Sequence, residues 1–495
     1  MKPNILWICT DQQRFDSLGC NGNSHAVTPH LDALAAEGES FDRFITAHPV
    51  CMPSRASFFT GSLPSRHGVY SNGVPLANRA YVPAAPAREH TPPRESHIKT
   101  LPELLSKNGY HTRSVGKLHL TPTQASPELQ HPENHWLWLE GQFDDWHGPY
   151  YGFDRVDMTL HHGEAGMYGH YRNWLREQAP EIEASLSEPV TERPLPGIPD
   201  LYKSRIPSEL HHSTWVGNQA VSFLESEEAK EKPFFVWMSF PDPHHPFTPP
   251  ATLADEFESH GYMEPASTEA DLADKPSAWP KEGMSAVTQN PEAIPKIRRY
   301  TDAQIHLIDQ AVGRAVAALK ENGLWENTVI LYTSDHGDFL GDYGMLRKCG
   351  LPCNALNRVP FLFRDPTGQV QLPQREPVSG VDLFPTLLDL AGVEVPHGID
   401  GKSLVENISG RRALIQSSGT ADQNRNLTIY DAKYRLTWFP QTDEWEVYDH
   451  DVDPYERKNI FEDFRKSDAF VQLKTEMLER HARAIDPQSG RLSCW

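Results

Sequence analysis

The stretch from Cys51 to Gly61 combines residue types that can activate a nucleophile. It begins at Cys51, has Arg55 one helical turn later and ends in Thr60 and Gly61. A cysteine at the start of a helix and beside an arginine lies in a positive local field, which lowers the pKa of a thiol and stabilises bound anions. An isolated cysteine is most often a buried structural residue. The inference therefore rests on the whole pattern.

Asp11 and Asp335 each follow a run of apolar residues, NILWICT in one case and TVILYTS in the other. Such runs predict buried β-strands. Carboxylate oxygens that meet at the edge of a sheet are suitable ligands for a divalent cation, and the neighbouring Gln12 and His336 would add an amide oxygen and a ring nitrogen. The simpler interpretation is that each aspartate caps the turn after its strand.

Two basic residues lie near the ends of further predicted strands. Lys117 lies in the second half of the strand-like run HTRSVGKLHL, and His244 comes shortly after FFVWMSF. Strands that alternate with helices predict a mostly parallel sheet covered on both faces, and ligands bind such sheets beyond the carboxyl ends of the strands. We therefore expect both residues to converge with Asp11 and Asp335 at one edge of the sheet.

The elements that must position these residues follow from the apolar spacing. Residues 121–210 are rich in Pro, Trp, His and Gly without clear periodicity, and we interpret them as loops and short elements. Residues 41–50 form a strand-like run. Helical spacing predicts helices at residues 29–37, 101–108 and 297–322, with helical character at 57–61.

The last quarter of the chain has a different pattern. Short strand-like runs, ALIQSS, LTIYDA, YRLTWF and WEVYD, follow one another before a predicted helix around residues 470–485. Their length and spacing predict an antiparallel sheet. We therefore predict an α/β fold with two domains: a larger one at 1–390, and a smaller α+β domain at 391–495.

The overall composition limits the classes of partner. The chain of 495 residues has 46 Lys and Arg against 67 Asp and Glu, a formal net charge of −21. A field of this sign repels nucleic acids and anionic membrane surfaces. The N-terminal apolar run is too short for a signal peptide, no stretch is long enough for a membrane helix, and the six cysteines show no disulfide framework. We expect a cytoplasmic protein that binds neither nucleic acid nor membrane.

The pattern C-x-P-S-R-x-x-x-x-T-G at Cys51 resembles the signature of the type I sulfatases, within the alkaline-phosphatase-like superfamily. The resemblance covers nearly the whole chain, from ILWICTDQQRFDSLGCNG through SRHGVYSNG, GKLHL, DPHHPF and TSDHGDFLGDYGMLRK to WEVYDHDVDPYERKNI. It implies an α/β/α sandwich, with the catalytic domain at 1–390. It also implies arylsulfatase-type hydrolysis of a small-molecule sulfate ester to an alcohol or phenol plus inorganic sulfate.

The resemblance further implies roles for individual residues. A formylglycine-generating enzyme would oxidise Cys51 to formylglycine, whose hydrate supplies the nucleophile. The metal, calcium or manganese in preference to magnesium, would be one divalent ion held by Asp11, Gln12, Cys51, Asp335 and His336. The catalytic residues would be Cys51, Arg55, Lys117, His119, His244 and Lys348, with Asn72 at the rim of the substrate site.

Two positions depart from the family pattern. Many sulfatases have Asp-Asp and Asp-Asn where this chain has Asp11-Gln12 and Asp335-His336, and these substitutions resemble the phosphonate monoester hydrolase and phosphodiesterase branch. The GKLHL segment, by contrast, resembles sulfatases proper. The alternative activity is therefore hydrolysis of phosphonate monoesters or phosphodiesters at the same site. Family tendency also suggests a homo-oligomer, a dimer or tetramer.

Other candidate residues receive simpler interpretations. We interpret His161-His162 and His211-His212 as loop histidines, and Cys349 and Cys353 as structural or near-site thiols, because no further ligand pattern accompanies them. Aromatic residues within 132–170 could line a substrate pocket, although loop aromatics more often pack the loop itself. A non-catalytic anion-binding protein remains as an alternative of another class, and it requires an unmodified Cys51.

Overall fold

A seven-stranded sheet lies at the centre of the molecule, in a computed structural model that describes residues 2–77, 98–190, 195–405, 409–417 and 425–485. Over all sheets, the strands of the described residues are β1 (Asn4–Thr10), β2 (Glu39–Ser40), β3 (Phe44–Ile45), β4 (His111–Gly116), β5 (Arg155–Met158), β6 (Phe234–Ser239), β7 (Thr328–Ser334), β8 (Phe361–Arg364), β9 (Val378–Ser379), β10 (Ala413–Ser417), β11 (Asn426–Tyr430), β12 (Tyr434–Phe439) and β13 (Glu444–Asp449). The central sheet has the order β2-β8-β7-β1-β6-β4-β5, and its pairs are parallel except for those made by β8.

The helices connect the strands and cover the sheet. They are α1 (Pro29–Glu37), α2 (Cys51–Thr60), α3 (Pro64–His67), α4 (Leu101–Lys107), α5 (His135–Leu139), α6 (Gly163–Gly166), α7 (His170–Gln178), α8 (Pro180–Ser185), α9 (His212–Leu224), α10 (Glu228–Glu231), α11 (Ala251–Phe257), α12 (Ser285–Thr288), α13 (Ala293–Glu321), α14 (Asn354–Asn357), α15 (Leu383–Leu390), α16 (Phe461–Phe464) and α17 (Asp468–Ala484).

Strand β1 shows why the sheet is buried on both faces. Its residues NILWICT are all buried, and successive side chains point to opposite faces. Ile5 and Trp7 belong to the apolar cluster formed with α2, α4 and α15, whereas Leu6 and Ile8 belong to the cluster formed with α1, α9 and α13. The predicted α/β/α sandwich with a mostly parallel sheet is therefore confirmed.

The strand ends point their polar residues to one edge, as predicted. Asp11 follows β1, Lys117 follows β4, and Asp335 follows β7. Gly116 makes the close approach at the end of β4 possible: its φ is +93°, and a Cβ there would lie 1.9 Å from the carbonyl oxygen of Ser239. Only glycine fits that backbone conformation and that space.

The C-terminal region forms the predicted antiparallel sheet. Strands β10, β11, β12 and β13 pair in sequence order, and α17 packs on them through Leu473 and Met477. The helix predicted around residues 470–485 corresponds to α17. All four strands lie after the proposed boundary at residue 390, and the division into domains at that point stays a prediction.

The secondary-structure prediction was incomplete in one place and wrong in another. Residues 121–210 form loops and short elements, as predicted, but the prediction did not identify β5 as the edge strand of the central sheet. The sequence of β5, RVDM, alternates charged with apolar residues over only four positions, too few for a recognisable signal. Within residues 41–50, only Phe44–Ile45 is a strand.

Among the residues that the structure describes, no helix combines the length and the apolar character that a membrane crossing requires.

Candidate active site

The Cys51 side chain lies at the centre of a cluster of ionisable groups. Cys51 is the first residue of α2, and every residue of that helix is buried. Its Sγ atom lies 3.0 Å from Lys348 Nζ, 3.2 Å from His336 Nε2 and 3.6 Å from Asp11 Oδ1. The predicted convergence of cysteine, carboxylate, imidazole and ammonium groups is therefore present at the edge of the sheet.

Arg55 holds the two carboxylates of the cluster in place. Its Nε donates to Asp335 Oδ2 at 2.7 Å, and its Nη2 donates to Asp11 Oδ2 at 3.0 Å. Its Nη1 donates to the Lys117 carbonyl and to Ser239 Oγ, both at 2.9 Å. The guanidinium is fully buried, so these bonds fix its geometry. Arg55 thus fixes the orientation of the carboxylates directly beneath Cys51.

Lys117 contacts the same oxygen of Asp11 as Arg55 does. Its Nζ is 2.5 Å from Asp11 Oδ2 and also bonds to Nε2 of His162. An ammonium group can only donate, so Nε2 of His162 accepts and carries no proton in this arrangement. The ring of His162 stacks on that of His244, with centroids 3.5 Å apart and planes inclined by 8°.

Lys348 connects the nucleophile to His244. Its Nζ donates to His244 Nε2 at 2.6 Å and to Gln12 Oε1 at 3.0 Å, in addition to its contact with Cys51. Nδ1 of His244 donates to the carbonyl oxygen of His245. His244 is therefore held as the Nδ1–H tautomer, with Nε2 facing the Lys348 ammonium group.

His119 approaches Cys51 from a strained loop. Its φ is 57°, and Gln12 has a φ of 66°; both are conformations that non-glycine residues rarely adopt. The buried carboxylate of Glu133 holds the His119 loop by accepting the backbone N–H groups of His119, Leu120 and Thr121. Burial and the charge of Lys117 lower the pKa of His119 to about 4, so its ring is uncharged at neutral pH.

The electrostatics of the cluster favour an anionic nucleophile. Burial and a neighbouring carboxylate would raise the pKa of the Cys51 thiol, but the surrounding cations outweigh both and lower it well below its usual value. Burial would also raise the pKa of Asp11, yet the charge of Lys117 holds it well below its usual value. Burial and the charge of Asp11 raise the pKa of Asp335.

The donor set fits a divalent metal ion. Donor atoms of Asp11, Cys51, Asp335 and His336 all lie within 4.8 Å of one another. Two buried carboxylates repel each other at this separation, as the raised pKa of Asp335 indicates, and a cation between them removes that cost. Two carboxylates with one imidazole are suitable ligands for the divalent ions named above. Gln12 turns its amide oxygen towards Lys348, and its role as a ligand stays a prediction.

Asn72 contacts the start of α2 through its side chain. Its Oδ1 accepts the backbone N–H of Met52 at 3.0 Å, which satisfies one of the free amides at the helix N-terminus. Asn72 also borders the cavity next to the cluster. The structure therefore brings together all eleven residues predicted from the sequence, and their individual roles remain predictions.

The interpretation of His162 as a loop histidine was wrong, because His162 contacts Lys117 and stacks on His244 within the cluster. Like Asp11 and Lys117, it follows a strand of the central sheet, β5. The other strand-end residues were predicted from the apolar runs that precede them. β5 has no such apolar run, so His162 was not selected in the same way. Glu133 was also missed, since an acidic residue inside a loop has no spacing signal.

Three other sequence interpretations have different outcomes. His211 and His212 are not loop residues: α9 begins at His212, His211 caps it, and both contact the buried Asp242. His161 lies in the wall of the cavity next to the cluster. Cys353 is buried and Cys349 is partly buried, as near-site structural thiols would be.

The loop aromatics mostly pack the interior. Trp138, Tyr150 and Tyr151 are buried in the apolar cluster of one sheet face, with Trp146 packed against it. Trp136 is the exception in this segment, with 48% of its surface exposed. A wall of aromatic residues around a substrate is therefore absent from the described residues of this loop.

Comparisons with known proteins identify relatives over the full length. The family model described as Sulfatase matches residues 3–393, and the one described as N-sulphoglucosamine sulphohydrolase, C-terminal, matches residues 341–483. An arylsulfatase of Clostridium perfringens is 31% identical, over 93% of this chain and 90% of its own length. A choline-sulfatase of Rhizobium meliloti is 26% identical, over 94% of this chain and 83% of its own length. The phosphonate monoester hydrolase of Agrobacterium radiobacter shares the fold, with a TM-score of 0.75 at 24% identity over 97% of this chain and 96% of its own.

Proposed function

Because the chain belongs to the sulfatase family and is a sulfuric ester hydrolase, we propose that it hydrolyses sulfate monoesters. The proposed reaction uses formylglycine derived from Cys51 and one divalent metal ion. The observation that supports this proposal best is the position of Cys51 Sγ, 3.0 Å from Lys348 Nζ and 3.2 Å from His336 Nε2. A nucleophilic atom at that point is surrounded by the cations that an attacking group and a sulfate ester both require.

The modification and the metal supply the parts of the chemistry that unmodified side chains lack. Oxidation of Cys51 by a formylglycine-generating enzyme replaces the thiol by an aldehyde, whose hydrated form supplies an oxygen nucleophile. A divalent ion held by Asp11, Asp335, His336 and the modified residue, with Gln12 as a further candidate ligand, supplies Lewis-acid stabilisation of negative charge.

The cations of the chain bind and orient the sulfate group. Lys348 contacts Cys51 directly, and Lys117 contacts Asp11, the carboxylate next to Cys51, so both ammonium groups lie close to the oxygens of a sulfate centred there. Negative charge on those oxygens is stabilised by donors that are already fixed by Asp11 and His244. Preorganised donors of this kind contribute the largest single term in many enzymes. Arg55 contributes indirectly, by holding Asp11 and Asp335.

Lys348 and His244 together donate a proton to the leaving group. His244 Nδ1 donates to the carbonyl of His245, so Nε2 is the atom that exchanges a proton with Lys348 Nζ. The proton that reaches the departing alcohol oxygen comes from this pair. When sulfate is released, the uncharged ring of His119, which hydrogen-bonds to Cys51, accepts the proton lost by the second hydroxyl group of the formylglycine hydrate.

A second candidate activity is hydrolysis of phosphonate monoesters. It is favoured by Gln12 and His336, which differ from the residues of many sulfatases and lie within the cluster. The Lys117 and His119 positions favour the sulfatase activity instead, because both would contact the transferred group directly. Turnover of an aryl sulfate and of an aryl phosphonate monoester by the same preparation compares the two.

Mass spectrometry of the tryptic peptide of residues 44–55 tests the proposal, on protein made in a host that forms formylglycine. We expect the mass loss that corresponds to replacement of the CH2–SH group by an aldehyde, in proportion to the specific activity on 4-methylumbelliferyl sulfate. Chelation should abolish that activity, and Ca²⁺, Mn²⁺ or Mg²⁺ should restore it. Full activity of protein with an unmodified Cys51 or without any bound metal would contradict the mechanism.

A further inference from the structure

The segment that carries His244 follows β6, and its residues 243–246 lie outside the helices and strands. Backbone hydrogen bonds hold this segment on either side of the histidine. Before it, the Asp242 carbonyl accepts the N–H of Asp11 at 3.1 Å, and after it, the N–H of Phe247 donates to the Asp200 carbonyl at 2.7 Å. Two of the four residues between these points are prolines, which have no N–H to donate. The position of His244 therefore depends on how firmly the two ends are held.

The side chain of Asp242, which is buried, connects the first of these ends to two helices. Its Oδ2 accepts the hydroxyl of Ser213, in the first turn of α9, at 2.6 Å. Its Oδ1 accepts Nε2 of Gln304, within α13, at 2.8 Å. Nε2 of His212 lies 3.1 Å from Oδ2. One carboxylate thus ties the His244 segment to two of the helices that cover this face of the central sheet.

The contacts of the His244 ring require an exact position. The ring stacks on those of His162 and His245, with centroids 3.5 and 4.0 Å apart, and its Nε2 lies 2.6 Å from Lys348 Nζ. Groups that transfer protons must be held within about 0.5 Å of their productive geometry. A buried carboxylate is stable only where its partners satisfy it, so Asp242 has one arrangement and transmits it to the residues that follow.

We propose that Asp242 is a positioning residue: its carboxylate holds the segment so that the His244 ring meets Lys348 and the oxygen of the leaving group. The inference rests on the proposed sulfatase function and adds a residue that acts through His244. Proton transfer to the leaving group requires His244 and Lys348 to stay within hydrogen-bonding distance. Greater freedom of the segment therefore slows the step that needs this proton and leaves the other steps unchanged.

The backbone of Asp242 offers a second route to the site, because its carbonyl oxygen accepts the N–H of Asp11. Asp11 is also fixed by Arg55 and Lys117, so it depends less on Asp242 than His244 does. The two routes have different consequences. A displaced Asp11 would slow all sulfate esters equally, because the metal and the sulfate group are common to all of them. A displaced His244 would slow only esters whose leaving oxygen needs a proton.

Asp242→Ala tests the assignment in metal-loaded formylglycine enzyme, with rates normalised to folded protein. We expect kcat for cyclohexyl sulfate to fall by about 10- to 10²-fold and kcat for 4-nitrophenyl sulfate by less than about threefold, with little change in KM. Asp242→Asn is the conservative variant: its amide still accepts from Gln304 and can donate to Ser213 Oγ, so it should restore most of the rate. Equal losses of kcat for both esters would overturn the proposal.

A double-mutant cycle tests whether Asp242 acts through His244. Asp242→Ala added to His244→Gln should lower kcat for cyclohexyl sulfate no further, because a displaced segment has no effect once the imidazole is absent. Asp309→Ala is the matched control: Asp309 is also buried, lies on α13 and accepts the backbone N–H groups of His30 and Leu31 at 3.3 and 2.8 Å. It should lower stability but change kcat for neither ester. Independent losses from Asp242→Ala and His244→Gln would contradict the positioning role.

Amide hydrogen exchange separates this inference from the proposed function. We expect the amides of residues 240–248 to exchange faster in Asp242→Ala and, to a lesser degree, in Ser213→Ala, but not in Asp309→Ala. Ser213→Ala removes one donor to the carboxylate and carries both tests if Asp242→Ala does not fold.

The outcomes distinguish the two proposals. If the wild-type enzyme hydrolyses no sulfate ester while exchange changes as expected, the proposed function fails and the anchoring by Asp242 stands. If the wild-type enzyme hydrolyses both esters but neither variant changes the exchange or the dependence on the leaving group, the assignment of Asp242 alone fails.

Discussion

Two buried arginines in this molecule each lie between two carboxylates. Arg55 holds Asp11 and Asp335 beneath Cys51, at 3.0 and 2.7 Å. Arg435, on β12, holds Glu446 at 2.6 Å and Glu456 at 2.7 Å within the C-terminal region. All of these side chains are almost completely inaccessible. The shared unit shows that a buried arginine between carboxylates does not by itself indicate catalysis.

The surroundings of the two units differ in charge and closure. Near Arg435 the second cation is Lys275, which is enclosed by the rings of Trp279, Tyr343 and Tyr448 at 4.2–5.0 Å. Two cations thus face two carboxylates, and aromatic rings close the site. Near Arg55 the ammonium groups of Lys117 and Lys348 add to the guanidinium, so three cations face two carboxylates in the proposed formylglycine form, in which Cys51 no longer carries a thiolate.

Backbone strain does not separate the two clusters. Gln12 and His119 have φ values of 66° and 57° beside Cys51, but Glu456 in the other cluster has a φ of 57°. The distinguishing features are excess positive charge and an adjoining cavity. Positive charge that no carboxylate of the protein balances can bind an anionic substrate. A cluster whose charges are balanced and enclosed can contribute only to the stability of the fold.

Cys51→Ala should give the largest loss of activity of all these variants and should leave the Arg435 cluster unchanged. Removal of a nucleophile lowers turnover by on the order of 10⁴-fold or more, while the small volume change leaves the fold intact. Cys51→Ser should give slow or single-turnover chemistry at most. Steady-state hydrolysis of 4-methylumbelliferyl sulfate and thermal unfolding measure the two properties. Cys20→Ala, at an exposed cysteine, is the matched control and should retain activity; multiple turnover by Cys51→Ala would refute the nucleophile assignment.

Arg435→Met should have the opposite signature. It leaves Glu446 and Glu456 buried without their cation, which costs about 3–5 kcal/mol of unfolding free energy. The rate per folded molecule should stay near that of wild type. Urea unfolding combined with active-site-normalised assays checks both. Arg375→Met removes an exposed ion pair with Asp451 and should cost under about 1 kcal/mol; an equal loss in both variants would refute the buried-network account.

Acid should weaken the C-terminal cluster over a defined range. Burial would raise the pKa of Glu456, but Arg435 outweighs it and lowers the value to about 2. A carboxylate whose folded pKa lies below its unfolded value of about 4.3 stabilises the fold above that value and loses this contribution as pH falls through the folded pKa. The contribution amounts to about 3 kcal/mol, with roughly half lost near pH 3.

Unfolding titrations of wild type and Glu456→Gln between about pH 5 and pH 3 measure that difference. The glutamine variant lacks the titrating group, so its unfolding free energy should fall less steeply with acid. Parallel curves for the two proteins would show that Glu456 has an ordinary pKa in the folded state.

His244→Gln should give the smallest of these effects, about 10²-fold in kcat for an alkyl sulfate. The loss should be less for 4-nitrophenyl sulfate, whose leaving oxygen needs no proton. His450→Gln is the matched change in the other cluster, where His450 Nε2 lies 2.9 Å from Glu456, and it should alter stability alone. Equal losses for both esters would assign His244 to sulfate binding instead of proton transfer.

Site residues could be predicted from the sequence where a recognisable apolar strand pattern precedes them. The uniformly apolar runs of β1, β6 and β7 identified Asp11, His244 and Asp335, since a parallel sheet brings its carboxyl ends together. The resemblance to type I sulfatases, confirmed by the family match, placed Cys51 and Lys348 beside them. His162 escaped because four residues of mixed polarity at a sheet edge give no periodic signal.

The sequence by itself determined the fold class, the family and the residues at the centre of the cluster, because local hydrophobic patterns and short motifs are properties of neighbouring residues. Tertiary structure alone decided that Lys117 bonds to His162, that Arg55 orients carboxylates 324 positions apart in the chain, and that a cavity adjoins the cationic cluster. These features depend on which loops meet above the sheet, and contacts between distant segments leave no mark in local spacing. The same holds for Arg435, whose balanced partners distinguish it from Arg55 only once both are seen in three dimensions.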